Sequence, residues 1–242
     1  MTETIVISRR FCGPPDSGNG GYTCGLVAAQ FAGPAEVTLR RPPPLDTPLA
    51  VAPSDDGSVR VLDGGDLVAE GTRREEDLAL DVPEPVGVDE AAAAGMESHL
   101  RLHPEEHPFP TCFVCGPQRA PGEGLGILVG PVAGRDVAAD VWTPAVDLAD
   151  ADGVVRPEFF WAALDCSGGI GSFGEDLADG NPFVLGRFAA TITGPVRVDA
   201  PYAVLGWRVG LEGRKLTSGS AIFTQDGALA GLARATWIQL AG

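Results

Sequence analysis

The chain carries one pattern twice, and that repetition limits its fold more than any other feature. A glycine-rich turn and apolar run, "GNGGYTCGLVAAQF" (18–31), precede two alternating stretches, "AEVTLRRPPPLDTPLAV" (35–51) and "SVRVLDGGDLVAEGTRR" (58–74). Later, "RPEFFWAALDCSGG" (156–169) precedes "AATITGPVRVDAPYAV" (189–204) and "GSAIFTQDGALAGLARATWI" (219–238). "VTLRRPPPLDTPLAV" matches "ATITGPVRVDAPYAV", and "VRVLDGGDLVAEGTR" matches "AIFTQDGALAGLAR", in the same order. Alternation joined by Asp-Gly turns predicts antiparallel hairpins, and the apolar runs before them predict helices. Each half is thus a helix followed by an antiparallel sheet, an α+β plan duplicated within the chain.

Between the halves, "VPEPVGVDEAAAAGMESHLRLHPEEHPFP" (82–110) opens with prolines, holds an Ala-rich helical piece over 89–102 and stops at Pro104. It reads as a linker whose helix packs outside the sheet. The division expected is 1–87, a linker over 88–110, and 111–242.

Charge narrows the function. The net charge is −16, with Lys215 the only lysine. Nonspecific binding to nucleic acid or an anionic membrane needs a basic face, which such a field opposes. No stretch approaches the roughly 18 apolar residues of a membrane helix, and "MTETIVISRRF" lacks the basic start and long apolar run of a signal peptide. A cytoplasmic protein is expected. An odd count of 5 cysteines, with Cys12, Cys24 and Cys166 in apolar surroundings, fits reduced thiols.

The glycine turn presents unpaired backbone N–H groups at the positive end of a helix dipole, a place for negative charge. Neither G-x-x-x-x-G-K-[ST] nor G-x-G-x-x-G in a βαβ setting is present, which argues against a phosphate loop. Read blandly, Asn19 is a helix cap in a tight turn and Asp165 a helix-end aspartate turned to solvent.

The ordered set of features resembles the hotdog-fold thioesterases, loosely in the first half and more closely from residue 111. "CFVCGPQRAPGEGLGI" (112–127) looks like the "CFxCG…GLG" opening of relatives of the phenylacetate-pathway thioesterase. "RPEFFWAALD" stands where that group has "HGGxxxxLxD", and "FTQDGALAG" (223–231) is similar to a hairpin of the thioesterase II type. The resemblance implies a double hotdog, two antiparallel sheets each wrapping a central helix.

In that family one hotdog supplies a His-Gly-Gly turn and its partner supplies a carboxylate nine residues beyond the equivalent turn. Here Asn19-Gly20-Gly21 aligns with Arg156-Pro157-Glu158, and nine residues on stand Ala28 and Asp165. The first half keeps the turn and lacks the acid; the second keeps the acid and lacks the turn. One composite site per chain is implied. The Gly20 or Gly21 amide would stabilise the developing oxyanion, and Asp165 would act as general base or nucleophile. Asn19, in place of histidine, would orient the thioester or cap the helix. An acyl tunnel between the two helices, lined by Tyr22, Leu26, Phe160 and Trp161, would complete it. Arg40, with Arg41, begins the proline-rich bend and Arg197 lies in the matching bend; these would hold the phosphates of coenzyme A.

Two departures bear on catalysis. The thioesterase II type also carries a glutamine and a threonine. Ala235 falls at the glutamine's place, and the threonine has no match, although Thr191, Thr193 and Ser167 lie nearby. His103, His107, Cys112 and Cys115 form H-x3-H-x4-C-x2-C, ligand types that suit zinc. The resemblance implies no metal, and the reading favoured is a cysteine-lined strand start beside a solvated linker. The expected activity is hydrolysis of an acyl-CoA or related thioester without a cofactor. The alternative is a non-catalytic acyl-CoA or lipid-binding protein, and a homo-oligomer of such chains is compatible with either.

Overall fold

The computed structural model describes residues 3–76, 78–173 and 182–241. The first half contains β1 (Thr4–Val6), α1 (Gly20–Ala28), β2 (Ala35–Leu39), β3 (Pro48–Pro53), β4 (Val59–Asp63) and β5 (Asp66–Arg73). Two helices follow, α2 (Val88–Met96) and α3 (His99–Leu102). The second half contains β6 (Gly130–Pro131), β7 (Ala138–Trp142), α4 (Pro157–Phe173), β8 (Phe183–Ile192), β9 (Tyr202–Glu212), β10 (Lys215–Phe223) and β11 (Leu229–Gln239).

The expected α+β plan holds, but not as two separate sheets. All the strands join in one antiparallel sheet of order β1-β3-β4-β5-β2-β8-β11-β10-β9-β7-β6. The two halves meet where β2 pairs with β8, from Ala35↔Ala190 to Thr38↔Arg187. An edge strand exposes a row of unpaired N–H and C=O groups; pairing two such edges satisfies both. The Arg187 guanidinium reinforces this seam, donating to Thr38 Oγ1 at 3.2 Å and facing Glu36 Oε1 at 3.6 Å.

Outward from the seam the two halves run β2-β5-β4-β3-β1 and β8-β11-β10-β9-β7, the same order element by element. α1 enters β2 as α4 enters β8. Two aligned aspartates, Asp46 and Asp199, adopt left-handed backbone with φ of 53° and 60°. Few residues other than glycine do so, and the two exceptions fall at the same place of the two aligned stretches.

Asn19 starts α1, its side-chain oxygen accepting the Tyr22 N–H at 2.8 Å. α1 and α4 pack on each other; α1 covers β2, β5 and β8, and α4 covers β9, β10 and β11. Along β9 the side chains alternate between two cores. Tyr202 and Val204 join the one beneath the helices, while Ala203, Leu205 and Trp207 join a smaller one on the opposite face. α2 lies on β6, β7 and β9, closing that second core with Ala91 and Ala94. The linker helix therefore packs outside the sheet as expected, although it breaks at residues 97–98 rather than running to Leu102. Among the described residues no helix is long and apolar enough to cross a membrane.

Candidate active site

The turn before α1 and the middle of α4 come together from opposite halves. Asp165 Oδ2 accepts the Gly21 N–H at 2.8 Å and the Asn19 side-chain amide at 3.1 Å. Asp165 is 2% exposed, and its Oδ1 is buried with no partner among the described residues. This is no solvent-facing helix end. Burial pushes the Asp165 carboxyl up to about 7; the Gly21 N–H and the Asn19 amide pull the other way, and Cys112 raises it further.

Such an approach needs glycine. A Cβ on Gly21 would lie 2.3 Å from Asp165 Cβ and 2.8 Å from the Trp161 carbonyl oxygen. One turn on, a Cβ on Gly25 would lie 2.6 Å from Glu158 Cα. The helices touch nearly backbone to backbone, which leaves no room for a tunnel between them. Tyr22 accordingly stacks on Phe11 at 4.3 Å, near Phe113 and Phe159. Phe160 is buried, Trp161 packs edge-on against Phe188, and Leu26 lies against the core. None of these four lines the cavity beside Asp165.

That cavity, of about 500 Å³, opens from Asn19, Gly20 and Asp165 toward the sheet. Ile170 and Phe173 follow Cys166 at intervals of four and three residues, the spacing of one helix face, and wall it from α4. Phe183 and Leu185 of β8 and Trp237 of β11 wall it from the sheet. Arg40 lines it, held at 3.1 Å by Glu70, as does Arg41, held by Asp66. Arg197 lies elsewhere, exposed and donating to the Asp152 carbonyl. A second, polar groove of about 710 Å³ shares Leu39, Arg40, Gly186 and Ile238 with this cavity and is flanked by Arg187, Lys215 and Arg234.

The histidine–cysteine set is divided by the fold. His103 is exposed, its ring tilted against that of His99 at 4.8 Å and facing Glu105 at 3.6 Å. His107 is buried; its Nδ1 accepts the Phe109 N–H at 3.0 Å, and burial lowers its pKa. Cys112 and Cys115 meet Cys166 of α4, all three Sγ atoms lying within 4.8 Å of one another. Hydrogen bonds from Cys115 and Cys166 hold the Cys112 thiol well below its ordinary pKa, and those of Cys115 and Cys166 are pushed up. Sequence reasoning set Cys112 and Cys115 with the two histidines and missed Cys166 as the third member of the cluster. Its signals were a C-x-x-C and a cysteine next to the candidate acid.

None of the three hydroxyl residues considered for the threonine's place reaches the cavity. Ser167 Oγ bonds back to the Ala163 carbonyl at 2.7 Å and Thr193 Oγ1 to the Leu229 carbonyl at 2.6 Å, and neither lines the cavity. Thr191 belongs to the β8–β11 ladder, and Ala235 is a buried position of β11.

The architecture is that of a known class of solved structures. A putative thioesterase II from Thermobifida fusca superposes over 99% of this chain and 96% of its own, with TM-score 0.60 at 11% identity. The acyl-CoA thioesterase II TesB2 from Mycobacterium marinum covers 93% of this chain and 92% of its own, with TM-score 0.58 at 14% identity. A conserved protein with hot dog fold from Alicyclobacillus acidocaldarius covers 99% and 92%, with TM-score 0.55 at 13% identity. The chain therefore has the hot dog fold in the full-length arrangement of the thioesterase II structures. No protein-family model and no curated protein sequence matches it.

Proposed function

We propose that this protein hydrolyses an acyl-CoA or closely related thioester at one composite site per chain. The observation that carries the reading is the bond from Gly21 N–H of the first half to the Asp165 carboxylate of the second, at the polar end of an apolar cavity. Oδ2 is anchored, which leaves the unpartnered Oδ1 to draw a proton from water or to attack the carbonyl itself. Because Gly21 N–H is engaged by the acid, the oxyanion donor is Gly20. As the first residue of α1 it has no intrahelical acceptor, and it lines the cavity. The acyl chain lies against Phe173, Phe183, Leu185 and Trp237. The nucleotide end reaches past Arg40 into the polar groove, where cations gather on an otherwise acidic protein.

One observation favours the binding-protein reading: of the two candidate oxyanion amides, Gly21 already holds the acid, as does the Asn19 side chain, and among the described residues no threonine or glutamine joins Gly20. Thiol release from a panel of short, long and aromatic acyl-CoAs separates the two. The wild type is expected to turn over one class, and Asp165→Asn to lose at least about a hundredfold. Ligand binding without turnover by the wild type would establish the binding protein, and equal rates in both would place the chemistry elsewhere.

A further inference from the structure

The three thiols beside Asp165 have a geometry that the hydrolase reading does not use. Cys112 Sγ and Cys166 Sγ are 3.7 Å apart, and the Cys115 Sγ lies within 4.8 Å of both. A tetrahedral ion with metal–sulfur bonds of about 2.3 Å has sulfur–sulfur edges of about 3.8 Å. A donor stands beside the sulfurs as well. The Asn19 side-chain amide is 3.8 Å from both Cys112 Sγ and Cys166 Sγ. Hydrogen bonds of this kind stabilise sulfur that carries negative charge.

Two further observations point to a ligand. His107 is 6% exposed, lines the same cavity as the three cysteines, and its Nε2 has no hydrogen-bond partner among the described residues. A buried imidazole nitrogen left unsatisfied is costly, and a fourth bond to an ion removes that cost. The C-x-x-C turn is also built tightly. Gly116 N–H donates to the Cys112 carbonyl at 2.9 Å, and a Cβ on Gly116 would lie 2.5 Å from the Cys112 backbone nitrogen. The glycine thus lets the chain fold back so that both cysteines face Cys166.

We propose that Cys112, Cys115 and Cys166 bind a thiophilic divalent cation of the Zn²⁺ type, with His107, which lines the same cavity but stands outside the 4.8 Å sulfur cluster, turning its Nε2 in as the fourth donor. The ion ties the segment that opens the second half to α4, next to the turn contributed by the first half. Binding displaces the thiol protons to solvent, and three thiolates with a neutral imidazole are the ligands such an ion prefers. The proposal stands apart from the hydrolase reading, and its test requires no turnover.

The test is Co²⁺ titration of reduced full-length protein under anaerobic conditions. One equivalent per chain should bind, with a sulfur-to-cobalt charge-transfer band and the intense visible bands of a tetrahedral ion, and Zn²⁺ should displace it. Cys166→Ser and Cys115→Ser, each with far-UV circular dichroism matching the wild type, should lose the band. Cys12→Ala, which alters a cysteine outside the cluster, should keep it. His107→Ala should weaken binding about tenfold or more. No stoichiometric uptake by the reduced wild type, an octahedral spectrum, or an unchanged band in Cys166→Ser would overturn the site. Unchanged affinity in His107→Ala would overturn the fourth donor.

Discussion

At the scale of single residues, Gly21 does three things at once. It lies in the first turn of α1, donates its N–H to Asp165, and keeps its Cα side bare so that α4 can approach. Gly21→Ala places a Cβ where Asp165 Cβ and the Trp161 carbonyl already stand. Overpacking of this kind costs about 1–3 kcal/mol, to be read from urea unfolding. An Asp165 displaced by about an ångström should also lose about a hundredfold in thioester turnover. Ala29→Gly, at the exposed end of the same helix, should leave turnover unchanged, which separates the local clash from general loosening of α1. Much of this was legible. Asn19 as cap and the glycine turn follow from residue type and spacing, and the acid nine residues along the partner helix is what the family resemblance implied. Which N–H the acid occupies was not, because that depends on the distance between two helices from different halves.

At the scale of elements, the helices and hairpins form where the patterns place them, with Gly64 and Gly227 in the left-handed region at the Asp-Gly turns. The contents of the cavity were not legible. Periodicity gives the buried side of α4, but nearly the whole helix is buried, and only the packing decides which buried residues face α1 and which face the cavity. The linker shows the same limit. Asp140 of β7 accepts the Leu128 and Val141 N–H groups and meets the Arg101 guanidinium at 2.8 Å, docking the α2–α3 segment onto the second half. Burial pushes its carboxyl above the usual range despite these donors. Asp140→Ala would strand two backbone donors and an arginine, and a loss of about 3 kcal/mol is expected in urea unfolding. An effect below about 1 kcal/mol would mean that α2 is held by its apolar contacts alone.

At the scale of the whole molecule, the continuous sheet and the α1–α4 contact couple the two halves. All four tryptophans, Trp142, Trp161, Trp207 and Trp237, lie in the second half, so their fluorescence reports on that half alone, whereas far-UV circular dichroism reports on both. Coincident urea transitions by the two probes are expected; fluorescence changing at a separate midpoint would show that the halves unfold independently. The pairing of glycine turn with acid was what the family resemblance implied; by itself the sequence determined the helix-and-hairpin pattern and the turn chemistry. These depend on local backbone preference and on periodicity. Only the tertiary structure decided that two half-sheets share one seam at β2 and β8, that the cavity lies toward the sheet rather than between the helices, and that Cys166 joins Cys112 and Cys115 while His103 turns to solvent. Each of those outcomes rests on contacts between residues tens of positions apart, which are decided by what can pack and by which buried polar groups find partners.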